Sequence, residues 1–230
     1  MLNFTRMEIS LTPFWLSLKL AFITTAILFL LGIFIIYCVY FMAGKLRPIL
    51  KAIVSLPLVL PPTVLGYYLL VFFQPDGWVG QLSEQLFGLR LVFSFPGLVV
   101  ASVIFSLPFM VNPVLSAIEN LPAYYREAAY TLGKSRWTTL TKVMLPNVKS
   151  SVVVGLVMTF AHTIGEFGVI LMIGGNIPGE TRVASIAIYD EVETLNYAGA
   201  NFYATLLLLF SFVVLAGVYL YQGKKSQGVL

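Results

Sequence analysis

Five apolar runs alternate along the chain with short polar stretches. They cover residues 20–42, 49–73, 91–115, 151–173 and 202–221. A helix needs about 20 mostly apolar residues to cross the hydrocarbon core of a bilayer, so the pattern predicts five transmembrane helices. Residues 1–19 are mixed and carry Arg6, Glu8 and Lys19. They are expected at the membrane interface, with Lys19 extending its ammonium toward the headgroups. Residues 174–201 form a long loop punctuated at its start by Gly174, Gly175, Pro178 and Gly179. Its apolar middle, 183–192, is too short to cross and is expected to form a short helix plugging the mouth of the bundle. Residues 222–230 read as a polar tail.

A polar, basic island, 120–146, lies between the third and fourth runs. Pro122 suits the first turn of a helix and Gly133 its end. Tyr125, Ala128, Ala129 and Leu132 then fall at i, i+3, i+4 and i+7 on one face. That face is nearly flat at its middle, where two alanines allow close approach of another body. A second short helix, 135–144, is expected to stop at Pro146. The island thus reads as a rigid helical elbow tied to membrane spans at both ends, either an ordinary connector or a docking surface.

Composition agrees with a membrane protein. Of 230 residues 59% are hydrophobic and 10% charged, and the mean hydropathy is +0.91; soluble domains carry about 25% charged residues. Cys38 is the single cysteine, so no internal disulfide forms, and the single histidine, His162, excludes a multi-histidine metal site. Asn3-Phe4-Thr5 fits a short glycosylation sequon. The first run is too long for a signal peptide and lacks a clear small-residue cleavage site.

Charge orients the chain. Lys45, Arg47, Lys51, Arg126, Lys134, Arg136, Lys142, Lys149, Lys224 and Lys225 fall on one side of the five spans; Arg6, Arg90 and Arg182 fall on the other. The positive-inside rule places the larger group in the cytoplasm. The N-terminus is then outside, the C-terminus inside, and the elbow cytoplasmic.

Candidate chemistry concentrates in three spans. Span two contains Pro57, Pro61 and Pro62, which remove backbone donors and kink or break a helix. Irregular backbone at membrane depth survives only where protein buries it or it lines water, so Pro61 and Pro62 either border a translocation path or form a packed kink. Span three carries Ser106 and Asn112, the latter an interhelix hydrogen bonder or a ligand. Span four carries Thr159, His162, Thr163 and Glu166 at i, i+3, i+4 and i+7. An intramembrane carboxylate must face protein or a water-filled cavity. The stripe either lines the path or forms a polar seam, with His162 and Glu166 spaced to pair. Gly155, Gly165 and Gly168 are expected to permit close helix contact. A glutamate facing an anion would repel it, so an anion carrier requires Glu166 to be paired or turned aside. Gly133-Lys134-Ser135 looks like the tail of a phosphate-binding loop, but position 128 is Ala where that loop needs Gly.

The spacing Glu127-Ala128-Ala129, three residues, Gly133, nine residues, Val143-x-Leu145-Pro146 resembles the EAA loop of binding-protein-dependent ABC importer permeases. Val143 replaces the family's usual Ile. The resemblance implies an all-α integral membrane protein of the type I importer permease fold, with the permease domain over 20–221. It implies that Glu127, Ala128, Ala129, Leu132, Gly133, Leu145 and Pro146 form a cytoplasmic coupling helix against a separate ATPase subunit. Leu56-Pro57-Leu58-Val59-Leu60-Pro61-Pro62, Gly165-Glu166-Phe167-Gly168 and Asn176-Ile177-Pro178-Gly179-Glu180-Thr181-Arg182 resemble the molybdate permeases of that family, with the sulfate permeases close beside them. The implied assembly is a homodimer in lipid, with two ATPase subunits that bind the ATP and an extracytoplasmic oxyanion-binding protein. The chain itself is then neither an enzyme nor a cofactor or nucleic-acid binder, and its place is a bacterial inner membrane. Its action would be alternating access, with substrate passing Pro61, Pro62, Ser106, Asn112, Thr159, His162, Thr163 and Glu166. Tungstate or sulfate is the alternative solute. A gradient-driven transporter or a membrane scaffold is the rival of another class; five spans without an internal repeat speak against the former.

Overall fold

The computed structural model describes residues 10–42 and 44–226. Arg6, Glu8, the sequon at Asn3 and positions 227–230 of the tail lie outside the described residues. Among the described residues all regular structure is helical. Helix α1, Thr12–Phe41, begins ahead of the predicted 20, with Pro13 in its first turn. Lys19 interrupts the apolar pattern without ending the helix. Its ammonium, expected to reach for the headgroups, makes its contact within the protein, 4.5 Å from the centroid of the Phe95 ring.

The second predicted span is broken. Helices α2, Leu46–Val59, and α3, Pro62–Phe73, meet at 110°. Leu60 precedes a proline and is pushed from the helical region to φ −72°, ψ 135°. Pro57, one turn earlier, is absorbed within α2. A short helix not anticipated from the mixed composition of this stretch follows: α4, Trp78–Phe87, ended by Gly88 at φ 63°.

Helix α5, Phe95–Glu119, runs unbroken through Pro108 and Pro113, and the Ser94 hydroxyl caps its start by accepting from the Gly97 amide. The elbow follows as α6, Tyr124–Thr131, then α7, Arg136–Thr139, a π-helical turn, Leu140–Met144, and α8, Leu145–Asn147. Helix α9, Lys149–Gly165, leaves the elbow at 85°. The fourth predicted span does not continue straight to 173. It stops at Gly165 and resumes as α10, Gly168–Gly174. The loop then holds α11, Ala184–Glu193, the short helix expected there, and α12, Tyr197–Ser226, completes the chain.

Helices α1, α5 and α12 are each long and apolar enough to cross a membrane, and the number rises to as many as five if the bent pairs α2–α3 and 136–147 with α9 each count as one span. Helices α1, α5 and α9 pack on one another, α3 packs on α10, and α11 lies against α12. Near the elbow the core is built from Ile36, Val39, Val114, Ile118, Leu140 and Met144. At the opposite end it is built from Leu16, Leu20, Leu98, Ile170 and Ile186. Helix α12 leaves Leu208, Leu209, Phe212 and Val213 exposed, as a lipid-facing helix does. Lipid tails are as apolar as leucine, so helix cohesion rests on close packing and polar contacts rather than on water release.

Close packing is tightest at Gly97, where an added Cβ would lie 1.5 Å from the Leu91 carbonyl oxygen. Gly97→Ala is expected to destabilise the purified subunit by about 3 kcal/mol or more. Gly217→Ala, with nothing within 4 Å, serves as the unaffected control. Thermal unfolding in one detergent compares the two.

Candidate functional site

Two helix interruptions face each other. The first is Leu60–Pro61, between α2 and α3; the second is Glu166–Phe167, between α9 and α10. A Cβ on Gly168 would come 2.8 Å from the Cβ of Pro62, and one on Gly66 would meet Met172 and Val169. The start of α3 therefore lies directly on α10. Between the interruptions is a cavity of about 600 Å³, lined among others by Pro62, Thr63, Phe105, His162, Gly165 and Glu166.

A polar seam between α5 and α9 forms one side of this region. The Ser102 hydroxyl donates to Glu166 Oε2 at 3.1 Å. One turn along α5, Ser106 Oγ hydrogen-bonds with His162 Nδ1 and with Thr163 Oγ1, both at 3.0 Å. The imidazole is stacked on Phe109, with centroids 4.0 Å apart, and tilted against Phe105 at 4.8 Å. Thr163 also donates to the Thr159 carbonyl, and Thr159 to the Gly155 carbonyl. Ser102, Ser106 and Thr159 are fully buried.

Glu166 departs from the predicted stripe. It has left the helix at φ −67°, ψ 133°, so only Thr159, His162 and Thr163 share the helical face. The loss of the i, i+4 geometry also removes the spacing by which His162 and Glu166 could pair; each bonds a different serine of α5 instead. Glu166 is 4% exposed, its Oε1 has no hydrogen-bond partner, and its backbone carbonyl accepts from the Ser185 hydroxyl of α11 at 2.6 Å. Its carboxyl is thus turned into the protein, and α11 is fastened over the interruption. Among the described residues no group of three His, Cys, Asp or Glu gathers that could hold a metal ion.

Pro62, His162 and Glu166 therefore share one cavity, with Pro61 beside them and Ser106 bonded to both His162 and Thr163. Asn112 lies elsewhere on α5 and exchanges hydrogen bonds with Ser55 of α2, at 3.1 and 3.4 Å. Of the three glycines expected to allow close contact, Gly155 faces Met110 and Gly168 faces Pro62. Gly165 meets nothing within 4 Å, because it borders the cavity. Reading Ser106 alone missed Ser102, although i and i+4 positions share a helix face. Thr63 and Ser185 carry no signal in the sequence, because only the tertiary fold brings them here.

The elbow is built as a rigid unit. Helix α6 starts two residues after Pro122 and ends in a Schellman motif. The Gly133 amide donates to the Tyr130 carbonyl and the Lys134 amide to the Ala129 carbonyl, with Gly133 at φ 68°. Ala129 is buried, whereas Glu127, Ala128 and Leu132 are exposed, Leu132 at 73%. The predicted flat face is thus divided: Ala129 turns inward and Ala128 and Leu132 outward. Ser135 caps the second helix by accepting from the Thr138 amide. That helix does not stop at Pro146. It widens into the π turn over Leu140–Met144, which relieves the clash between a helical proline and the preceding turn, and runs on to Asn147. Leu140 and Met144 are anchored in the core, Leu145 is packed against it, and Pro146 is exposed.

The protein-family profile described as "Binding-protein-dependent transport system inner membrane component" matches residues 29–226. The chain is similar to the molybdenum transport system permease protein ModB of Azotobacter vinelandii, 45% identical over 212 residues, covering 92% of this chain and 94% of that one. ModB of Escherichia coli K12 is 38% identical over 181 residues, 78% of each chain. The probable sulfate transport system permease protein cysT of Chlorella vulgaris is 31% identical over 217 residues, 94% of this chain and 81% of that one. Among solved structures, a bacterial ABC transporter that imports the acidic polysaccharide alginate superposes with a TM-score of 0.75 at 19% identity, covering 96% of this chain and 80% of that one. An inward-facing MetNI methionine ABC transporter superposes at 0.69 and 17% identity, covering 89% of this chain and 90% of that one.

The seam generates a stability prediction. Ser106→Ala removes the shared partner of His162 and Thr163, and Ser102→Ala leaves both Glu166 oxygens without a protein donor. Each is expected to lower stability by about 1–3 kcal/mol. The double variant should lose close to the sum, because the two serines serve different acceptors. Thermal unfolding with an Asn120→Ala control, an exposed side chain bonded only to its own helix, checks this.

Proposed function

The chain belongs to the family of binding-protein-dependent transport system inner membrane components, and on that premise we propose that it is the permease subunit of an ATP-driven molybdate importer. It is a membrane protein with up to five spans, and the solved ABC importers share its fold. The observation that carries the solute is the 45% identity to a molybdenum permease across nearly the whole of both chains. Sulfate is the second reading, favoured by the 31% identity to a sulfate permease.

Two such subunits would form the pathway, with ATPase subunits on the elbow side and an oxyanion-binding protein opposite. A permease that receives its work from another chain needs a contact that is cytoplasmic, rigid and tied to the spans. The elbow suits this role: its second helix is anchored through Leu140 and Met144, and Glu127, Ala128 and Leu132 are free to meet a partner. The cavity between the two interruptions is the stretch of pathway best supported. Pro62, Thr63 and His162 would border it, while Ser106, Thr163 and Thr159 hold the adjoining helices in place. When ATP closes the ATPase dimer, movement of the elbow passes through the 85° joint into α9 and so to the Glu166 interruption.

Orientation follows from the ten-to-three division of basic residues. A cysteine at Ser135 is expected to react with an impermeant maleimide only from the cytoplasmic face, and one at Glu180, an exposed loop residue, only from outside. Labelling of both from one face would overturn the five-span topology.

Function itself is tested in liposomes containing the permease, its ATPase and its binding protein. Wild type is expected to take up molybdate only with ATP. Ala128→Trp, Glu127→Lys and Gly133→Asp, the last straining the left-handed turn by about 1 kcal/mol, should insert normally yet lose ATPase co-purification or coupled uptake by about tenfold. Full coupling in all three would make the elbow a mere connector.

A further inference from the structure

A second cavity, about 580 Å³, lies at the elbow end of the molecule and is lined by Tyr40, Arg47, Pro48, Lys51, Glu119 and Arg126. Four elements meet there: the end of α1, the start of α2, the last residue of α5, and α6. Arg47 and Lys51 stand one turn apart on α2 and so share a face. Both reach Glu119, whose Oε1 lies 2.7 Å from Arg47 Nη2 and 2.5 Å from Lys51 Nζ. Glu119 closes α5, where a carboxylate adds to the partial negative charge of a helix C-terminus and calls for positive neighbours. One cation balances it. With Arg126 the lining carries three cations and one carboxylate, which leaves two positive charges uncompensated.

Those charges are held together by Tyr40. The Arg47 guanidinium carbon lies 5.5 Å from the centroid of its ring, and Arg126 Nη1 donates to its hydroxyl at 3.4 Å. Arg47 Nε is buried and without a hydrogen-bond partner. Like charges so gathered repel, and planar guanidinium groups present paired donors that match the edge of a tetrahedral oxyanion.

We propose that this cavity is an anion site for a tetrahedral oxyanion bearing two negative charges, as a free dianion or as the phosphate of an anionic phospholipid headgroup. The bound group bridges Arg47 and Lys51 of α2 to Arg126 of α6, and so ties the first arm of the broken span to the elbow. The site stands apart from the cavity at Glu166, and its existence does not depend on which solute the chain carries.

The test uses the full chain in nanodiscs. In one arm the lipid is phosphatidylcholine alone, and binding of radiolabelled sulfate and of inorganic phosphate is measured. In the other, phosphatidic acid is added, free dianions are omitted, and retained lipid is read by native mass spectrometry. Saturable binding is expected in at least one arm; the first assigns a free dianion and the second a headgroup. Arg126→Gln and Lys51→Gln should each weaken it about tenfold. Lys134→Gln, which removes the same charge from an exposed position on the elbow, should not. If Arg126→Gln folds poorly, Arg126→Lys, which keeps the charge but not the paired donors, decides with Lys51→Gln. Absence of saturable binding in both arms, or an equal loss in Lys134→Gln, overturns the proposal.

Discussion

Hydrocarbon offers no hydrogen bonds, so every backbone group freed by a helix interruption must find a partner within the protein. This constraint organises the molecule. Pro61 and Pro62 break one span, and Glu166–Phe167 breaks another. The two breaks lie against each other: the start of α3 lies on α10, with Pro62 against Gly168, and Glu166 is buried there. Side chains and backbone from outside α9 and α10 meet carbonyls at the Glu166 break and at the end of α10. Ser185 donates to the Glu166 carbonyl, Thr181 to the Gly174 carbonyl, and the Phe93 amide to the Ile173 carbonyl. The loop bearing α11 is therefore structural as well as a cover. Without it, the Glu166 and Gly174 carbonyls would be buried and unpaired, at a cost of about 1–3 kcal/mol each.

The same constraint explains the seam between α5 and α9. Apolar packing does not distinguish one helix partner from another in lipid, whereas paired polar side chains set register. Ser102 and Ser106, one turn apart, engage Glu166 and His162 at two successive levels of the neighbouring segment. Sliding α9 by one turn would break all of these bonds at once. Register at this seam in turn fixes where α9 ends, and hence where the cavity opens.

At the other end, rigidity comes from covalent continuity and packing together. The π turn lets a proline sit inside the elbow's second helix without ending it, so Leu140 and Met144 reach the core on one side while the exposed residues of α6 remain on the other. Helix α9 connects the elbow, through an 85° joint, to the Glu166 interruption. The basic cavity at Glu119 sits where α6 approaches the end of α5 and the start of α2.

The sequence by itself determined the membrane class, the helical elbow and its left-handed glycine, because each depends on local composition, periodicity or a conformational rule. Pro61–Pro62 announced a break for the same reason. Glu166 shows where local reasoning ended. Its spacing from His162 assumes a continuous helix, and the sequence holds no proline at that point to say otherwise. The helix stops there because Ser185, nineteen residues on, and Ser102, sixty-four residues back, supply partners for the carbonyl and the carboxyl. Likewise Arg47, Lys51, Glu119 and Arg126 are ordinary loop and helix-end charges in sequence. Only the meeting of α1, α2, α5 and α6 gathers them into one cavity, since electrostatic interaction depends on distance in space and not on distance along the chain.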